Sequence, residues 1–247
     1  MLQRDVAPGI HRVEDAYTNF YLVEDAGGIT LVDAGVAHTS WARLHDALRS
    51  LGRSPADLRA LVLTHGHFDH IGFAERARSE LGIPVYIHER EVELTKNPQN
   101  YKRERSPFYY IATKPKALPI VASFLRRRAF WPTPVADVRP YTDGELDVPG
   151  RPQIVFTPGH TYGHSALHFR DRDTLISGDA VVLLNPYTGA RGPQIVARAA
   201  NADSRQALDS LDAIAATGAG TVLTGHGEPW TRGAATLADE ARRAGIS

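Results

Sequence analysis

The sequence contains no cysteine. Disulfide bonds, thiolate metal sites and a cysteine nucleophile are therefore excluded for this chain. Any transition-metal site must instead be built from His, Asp and Glu side chains, a donor set that suits zinc, iron or manganese.

A net charge and a long apolar run are also absent. The 28 basic and 28 acidic residues cancel, so nothing in the balance points to nucleic acid or to an anionic membrane as a partner. No stretch approaches the ~18 consecutive apolar residues of a membrane span. The opening segment MLQRDVAPGIHRVE lacks the apolar core of a signal peptide. We therefore expect a cytoplasmic protein whose partner is a small-molecule substrate, with no nucleic acid and no membrane.

Strand and helix patterns alternate in both halves of the chain. In the first half, a helical pattern over 39–51 precedes the apolar strand pattern at 58–64, and a second helix is predicted over 71–81. In the second half, the strand patterns QIVFTPGH, SALHFRD, DTLISGD and TVLTGH are interrupted by a predicted helix over 203–217. The alternation and the length of 247 residues suit one large α/β domain or two small ones.

Residues 96–135 break this alternation and are predicted to be an insertion. The segment contains six prolines, and from Lys96 to Phe130 it carries nine basic residues but one acid, Glu104. Aromatic residues are interleaved with the basic ones. Two interpretations are open. The segment is either a lid whose aromatics shape an apolar pocket and whose basic residues attract an anion, or a structural element, namely a solvated basic helical insertion or an arm that joins two copies of the chain in a homodimer.

Four apolar strand patterns each lead into side chains that can bind a metal. The first of them, ALVL, runs into THGHFDH at position 64. Because sites in α/β sheets gather at strand ends, these side chains are expected to converge. The candidate metal ligands are His65, His67, Asp69, His70, His160, Asp179 and His226.

Seven ligands are more than one ion requires. A catalytic zinc binds three protein ligands and keeps a fourth position open for water. Seven ligands therefore suit two ions that share one carboxylate. The chain has other histidines scattered along it, so histidine alone means little, but HxHxDH together with three further strand-end ligands favours a metal site over chance.

The motifs THGHFDH, TPGHTYGHS, SGD and TGHG, in this order, resemble those of the metallo-β-lactamase-fold hydrolase superfamily. The stretch LVDAG, which contains Asp33, resembles the first motif of that superfamily. The resemblance extends from about residue 9 to residue 230. It implies a single α/β domain over 1–247 of the αββα type, a sandwich of two mixed β-sheets with helices on the outer faces and metals at one edge.

The resemblance also implies a role for each candidate ligand. The ligands of the first ion would be His65, His67 and His160. The ligands of the second ion would be Asp69, His70 and His226, with Asp179 bridging the two ions. Asp33 would lie beneath the site as a supporting residue.

The resemblance further implies the reaction. We expect two divalent ions, zinc first with iron or manganese as alternatives, and a metal-bound hydroxide that attacks a small ester, lactone or thioester. Asp69 would orient the hydroxide and pass a proton to the leaving group. Size and motif set are most similar to the lactonase-like and uncharacterised hydrolase branches. The alternatives are a mononuclear iron enzyme of the persulfide dioxygenase type, a β-lactam hydrolase, and an inactive binding module.

Three more residues are candidates around the site. His164 follows His160 by four positions and either supports a ligand or caps a turn. Tyr162 and Tyr187 come shortly after predicted ligands and are candidates for contacting a substrate carbonyl, with ordinary packing as the alternative.

Overall fold

The computed structural model describes all residues from 1 to 247, and its first sheet has seven strands in sequence order. These strands are β1 (Leu2–Ala7), β2 (Ile10–Asp15), β3 (Thr18–Asp25), β4 (Gly28–Val32), β5 (Leu58–Val62), β6 (Val85–His88) and β7 (Arg139–Tyr141). Pairing is antiparallel from β1 to β4 and parallel from β4 to β7. Each parallel step contains at least one helix, because the chain must cross back before the next strand begins.

A second sheet has five strands in the order β14, β11, β10, β9, β8. These strands are β8 (Gly144–Glu145), β9 (Gln153–Phe156), β10 (Ser165–Phe169), β11 (Thr174–Gly178) and β14 (Thr221–Thr224). Only β11 and β14 pair in parallel, so both end at the same edge of the sheet. A small two-stranded sheet consists of β12 (Val182–Leu184) and β13 (Arg191–Gln194).

Eight α-helices connect or cover these strands. They are α1 (Ser40–Ser50), α2 (Ala74–Leu81), α3 (Val92–Lys96), α4 (Pro107–Thr113), α5 (Leu118–Arg126), α6 (Ser204–Asp209), α7 (Leu211–Ala216) and α8 (Ala234–Ala244). None of these helices combines the length and the apolar character needed to cross a bilayer.

Three apolar clusters show how the layers stack. The central cluster joins the two sheets face to face, with Val62 of the first sheet and Ile176 of the second among its members. A second cluster packs α1 and α2 on the outer face of the first sheet, and a third packs α6, α7 and α8 on the outer face of the second. The predicted αββα sandwich of two mixed sheets is therefore confirmed.

The predicted element boundaries differ from the structure mainly next to the site. The strand predicted over 58–64 ends at Val62, and the helix predicted from 71 begins at Ala74. The loop between them contains the polar motif THGHFDH. Its backbone belongs neither to the strand nor to the helix. The helix predicted over 203–217 is divided at Ser210 into α6 and α7.

The segment 96–135 packs against the rest of the molecule through a few inward-facing apolar side chains. Ile120 and Phe124 of α5 are buried in a cluster with Phe68, which belongs to the THGHFDH motif. Other apolar side chains of the segment face outward, and Phe108 and Trp131 are 77% and 64% exposed. The segment thus covers the motif loop on one side and exposes aromatic surface on the other.

Candidate metal centre

The candidate metal centre lies at one edge of the sandwich, where strands of both sheets end. The loop after β5 carries four of the seven predicted ligands. Strand β11 leads directly to Asp179, and its parallel neighbour β14 leads to His226 two residues later. A hydrogen bond from the Ser165 N–H to the Thr64 carbonyl (3.0 Å) ties the first-sheet loop to the second sheet.

All seven predicted ligands come together and are buried, none with more than 6% of its surface exposed. Within each of two groups the potential ligand atoms lie within 4.8 Å of one another. The first group is His65, His67 and His160, and the second is Asp69, His70 and His226. A third group of the same kind, His65, His70 and Asp179, links these two. The first two groups correspond to the two ion sites that the motif resemblance implies, while the role of the residues as ligands stays a prediction.

Asp179 lies between the two groups. Its Oδ2 is 3.5 Å from Nε2 of His160 and 3.2 Å from Nε2 of His226, and its Oδ1 is 3.6 Å from Nε2 of His70. The neighbouring loop approaches so closely that a Cβ at Gly225 would lie 2.0 Å from this Oδ1. Gly225 therefore leaves the space in which the carboxylate can reach both groups.

Four of the five imidazole rings are held in place through Nδ1. The partners of Nδ1 are Thr64 Oγ1 for His65 (3.0 Å), Asp33 Oδ2 for His70 (2.8 Å), Asn201 Oδ1 for His160 (2.9 Å) and the Tyr17 carbonyl for His226 (2.8 Å). Carboxylate, amide and carbonyl oxygens accept hydrogen bonds, so they keep the proton on Nδ1. Nε2 of each ring then faces the centre, where it can bind an ion once it carries no proton.

The electrostatics divide the centre into two parts. Burial lowers the pKa of His65 and of His67 well below the usual value, and it also lowers the pKa of His160. Burial would lower the pKa of His70 too, but the carboxylates of Asp179 and Asp33 outweigh it and raise that pKa to about 10. Burial would raise the pKa of Asp179, but the imidazoles of His226 and His70 hold it well below its usual range.

The donor atoms of this cluster fit divalent metal ions. Several buried polar atoms at its centre have no hydrogen-bond partner, and leaving such an atom unpaired costs about 1–3 kcal/mol. These atoms are Oδ1 of Asp179 and Nε2 of His65, His67, His70, His160 and His226. Imidazole nitrogens with carboxylates and no thiolate form the donor set of zinc, iron or manganese sites. The residues present therefore suit the two ions that the resemblance implies.

Asp33 and His164 lie behind the centre and hold its backbone. Asp33 adopts a left-handed conformation (φ +63°), and its Oδ1 accepts the N–H of Thr64 at 2.8 Å while Oδ2 contacts His70. Nε2 of His164 accepts the N–H of Asp179 at 3.0 Å, and its Nδ1 pairs with Thr157 Oγ1 at 2.8 Å. His164 is thus in contact with the backbone of a predicted ligand.

The two candidate tyrosines occupy different places. Tyr187 is half-buried, and burial together with the neighbouring Tyr101 and Asp69 raises its pKa well above the usual value. Its hydroxyl therefore stays protonated beside the centre. Tyr162 is 43% exposed, and its hydroxyl accepts a hydrogen bond from Lys102 Nζ at 2.6 Å.

A cleft of about 370 Å³ opens beside the first ligand group. Its walls include Tyr101, Lys102, Thr161 and Tyr162. The ring of Tyr101 lies 4.4 Å from the ring of His67, and Thr161 directly follows His160. The cleft thus lies next to the centre, and part of its wall comes from the 96–135 segment.

Sequence reasoning missed three residues that shape the site. Asn201 holds His160, Tyr101 covers His67, and Glu91 accepts hydrogen bonds from the backbone of both ligand loops. None of the three stands in a motif or at the end of an apolar strand pattern. Only the tyrosine carried a signal, its position in the aromatic-rich insertion.

The sequence is similar to those of known metallo-hydrolases, as expected for a metal centre of this kind. The sequence model described as the metallo-beta-lactamase superfamily matches residues 13–226. The chain is 28% identical over 246 residues to the probable metallo-hydrolase YflN of Bacillus subtilis (strain 168), covering 92% of this chain and 87% of that protein. It is 29% identical over 172 residues to acyl-coenzyme A thioesterase MBLAC2 of Gallus gallus, covering 66% of this chain and 57% of that protein.

Solved structures of the same family have a similar fold. A metallo-beta-lactamase family protein from Thermus thermophilus, TTHA1429, is 26% identical with a TM-score of 0.68, covering 96% of this chain and 78% of that one. TTHA1623, solved in a di-iron-bound form, is 26% identical with a TM-score of 0.66, covering 93% of this chain and 96% of that one.

Proposed function

Because the chain belongs to the metallo-β-lactamase superfamily, a superfamily of metal-dependent hydrolases, we propose that it is a dinuclear hydrolase of a small ester, lactone or thioester. The superfamily membership itself confirms the resemblance drawn from the four motifs. The number of ions, the identity of the metal and the substrate belong to the proposal.

The observation that carries the proposal is the set of unpartnered Nε2 atoms around Asp179. Five buried Nε2 atoms that converge around one carboxylate without a well-formed hydrogen bond are costly unless a cation is bound there. The two groups share Asp179 as a neighbour, which supports two ions rather than one. We propose zinc as the metal, with iron or manganese as alternatives that the same donors accept.

Two such ions would supply a water of lowered pKa and would polarise the carbonyl of the substrate. The chain's own residues then orient the reactants. We propose that Asp69, whose Oδ2 lies 3.4 Å from Nε2 of His226 and 3.3 Å from Thr18 Oγ1, holds the attacking water and carries its proton to the leaving group. Anchored on two sides and 6% exposed, Asp69 has little freedom to turn away.

The cleft beside Tyr101 is the proposed substrate site. Tyr187, with its protonated hydroxyl near Asp69, is suited to donate a hydrogen bond to the carbonyl oxygen as negative charge develops there. Tyr162 and Lys102 stand further out and would contact the distal part of the substrate. Among the three substrate classes, the similarity to an acyl-coenzyme A thioesterase supports a thioester.

The test combines metal analysis with a substrate panel. Purified protein is analysed for zinc, iron and manganese and then assayed on esters, lactones, thioesters, phosphodiesters and β-lactams. Two ions per chain with turnover of an ester, lactone or thioester would support the proposal. One iron per chain with oxygen consumption on a persulfide would replace it with a dioxygenase, and turnover of β-lactams alone would replace it with a β-lactamase.

A pair of variants, Asp179→Ala and its control His168→Ala, tests whether metal binding and turnover depend on the same site. Asp179→Ala removes the carboxylate that lies between the two groups, so both the second ion and most of the turnover should be lost. His168→Ala changes a histidine of strand β10 that is not part of the centre and should leave both unchanged.

A further inference from the structure

One buried acid, Glu91, bonds to both loops that carry the first ligand group. Glu91 directly precedes α3 and is 1% exposed. Its Oε2 accepts the N–H of Gly66 at 2.9 Å, and its Oε1 accepts the N–H of Gly163 at 2.8 Å. Gly66 stands between His65 and His67, and Gly163 stands three residues after His160. Each oxygen of one carboxylate therefore holds a different ligand loop.

The two glycines permit this contact. A Cβ at Gly66 would lie 2.9 Å from Cγ of Leu94, and a Cβ at Gly163 would lie 2.7 Å from Cγ of Glu91. Both distances are too short for a side chain. At Gly163 the backbone can approach the Glu91 carboxylate only because no side chain stands between them, and at Gly66 the missing side chain leaves room for Leu94 of α3 beside the loop.

The two loops belong to different sheets. The His65–His67 loop follows β5 of the first sheet, and the loop with His160 and Gly163 joins β9 to β10 of the second. Glu91 follows β6 of the first sheet. Its carboxylate therefore bridges the sandwich at the point where the first ligand group converges. A carboxylate buried this deeply is tolerated because both oxygens accept charge-assisted hydrogen bonds.

We propose that Glu91 is a positioning residue that sets the distance between the His65–His67 loop and the His160 loop, and thereby the metal affinity of this group. The part that concerns affinity rests on the proposed function. Glu91 also borders the cleft, but its hydrogen bonds go to backbone N–H groups and not to ligand atoms, so it acts on the ligands through the backbone.

The variant Glu91→Gln separates this role from packing. Glutamine has the same shape but offers one acceptor oxygen and one NH₂ donor, so one of the two backbone N–H groups would face another donor. Glu93→Gln is the matched control. Glu93 is two residues away on the same segment and, like Glu91, borders the cleft, but its side chain is 81% exposed and its carboxylate pairs with Lys96 instead of a ligand loop. Should Glu91→Gln fail to fold, Gly163→Ala tests the same contact from the other side.

The first measurement is amide hydrogen exchange in the metal-free full chain. We expect exchange at Gly66 or Gly163 to be about tenfold faster in Glu91→Gln than in wild type, which corresponds to one lost hydrogen bond. The second measurement is zinc titration with a competing chelator. We expect one of two zinc equivalents to bind about 10–100-fold more weakly in Glu91→Gln, the usual effect of losing a residue that supports a ligand. Glu93→Gln should match wild type in both.

Unchanged exchange at both glycines, or two zinc equivalents of wild-type affinity in Glu91→Gln, would overturn the proposal. A lower unfolding midpoint alone would show that Glu91 merely stabilises the fold, and this too would overturn it. A wild-type chain that binds no zinc, iron or manganese would instead overturn the proposed function. In that case, amide exchange at Gly66 and Gly163 would still test whether Glu91 holds the His65–His67 loop and the His160 loop in place.

Discussion

The smallest unit of the site is an imidazole ring held from behind. His70 and His160 each direct Nε2 at the centre because Nδ1 is bonded to Asp33 and Asn201 respectively. The Asn201 amide is itself oriented, since its Nδ2 donates to the Val196 carbonyl at 2.7 Å. The donors are thus fixed before any ion binds, which is the condition for tight and geometrically selective binding.

Asp69→Asn tests the proposed proton transfer at this scale. Asparagine keeps the size and hydrogen-bonding shape of the side chain but cannot take up a proton, so we expect kcat to fall by about 10²–10⁴-fold. The free energy of unfolding should change much less. Steady-state kinetics on the substrate found by the panel, with urea denaturation alongside, measure both. Asp239→Asn, an exposed residue paired with Arg242, is the control, and wild-type turnover in Asp69→Asn would contradict the assignment.

At the scale of secondary-structure elements, buried tyrosines fix the strand ends that lead into the site. The hydroxyl of Tyr141, at the end of β7, donates to the Leu63 carbonyl at 2.9 Å, one residue before the motif loop. The hydroxyl of Tyr21 in β3 donates to the Thr224 carbonyl at 2.6 Å, at the end of β14. Burial raises the pKa of both tyrosines well above the usual value.

This burial predicts a loss of stability in alkali. Above about pH 10 a tyrosine in the unfolded chain gives up its proton, whereas Tyr141 in the folded protein keeps it. The unfolded state is then favoured by about 1.4 kcal/mol per pH unit for each such group, and below pH 10 the effect vanishes. Tyr141→Phe should therefore flatten the fall of the unfolding free energy between about pH 10 and 12 by this amount, measured by urea denaturation. The exposed Tyr109→Phe should keep the wild-type slope, and an equal slope in Tyr141→Phe would refute the argument.

The 96–135 segment is the element whose role the sequence left open between a lid and a dimer arm. Tyr101 lies against His67 and lines the cleft, which supports the lid. Phe108 and Trp131 are exposed on the segment, which leaves surface available for a second copy.

Two variants separate the roles of this segment. If it shapes the cleft, Tyr101→Ala should raise KM while the metal content stays at the wild-type value. If it joins two copies, the double variant Phe108→Ser with Trp131→Ser should halve the mass measured by light scattering. A wild-type monomer would exclude the arm, and an unchanged KM in Tyr101→Ala would argue against the lid.

At the scale of the whole molecule, the centre joins the two sheets. His65, His67, Asp69 and His70 come from the first sheet, whereas His160, Asp179 and His226 come from the second. Each ligand group contains members from both sheets. Bound ions would therefore cross-link the sandwich at this edge.

Metal removal should consequently destabilise the entire fold. A ligand that binds only the folded state stabilises it by about 2.7 kcal/mol at a free concentration of 100 times Kd. We expect chelation to lower the unfolding midpoint and added zinc to restore it, as followed by calorimetry. His160→Ala should lose most of this zinc-dependent shift, whereas His168→Ala should keep it. A midpoint that does not respond to chelation or zinc would contradict a cation shared by the two sheets.

Much of this protein could be predicted from the order of its residues. Short apolar runs that end in His or Asp indicate an α/β fold and the ligand candidates, because apolar runs and the polar residues at their ends are local properties of the chain. The layered sandwich was predicted from the resemblance of the four motifs. The absence of cysteine limited the donors to imidazole and carboxylate. These features require no knowledge of which strands pair.

Only the tertiary structure decided which groups support the ligands. Glu91 and Asn201 lie far in sequence from the residues they hold, 72 positions from Gly163 and 41 from His160. Their partners are largely backbone N–H groups and ring nitrogens, which leave no pattern in the sequence. The cleft likewise depends on where the 96–135 segment packs. Contacts between distant segments arise from the packing of whole layers, so the sequence determined the donors of this centre and the fold determined how they are held.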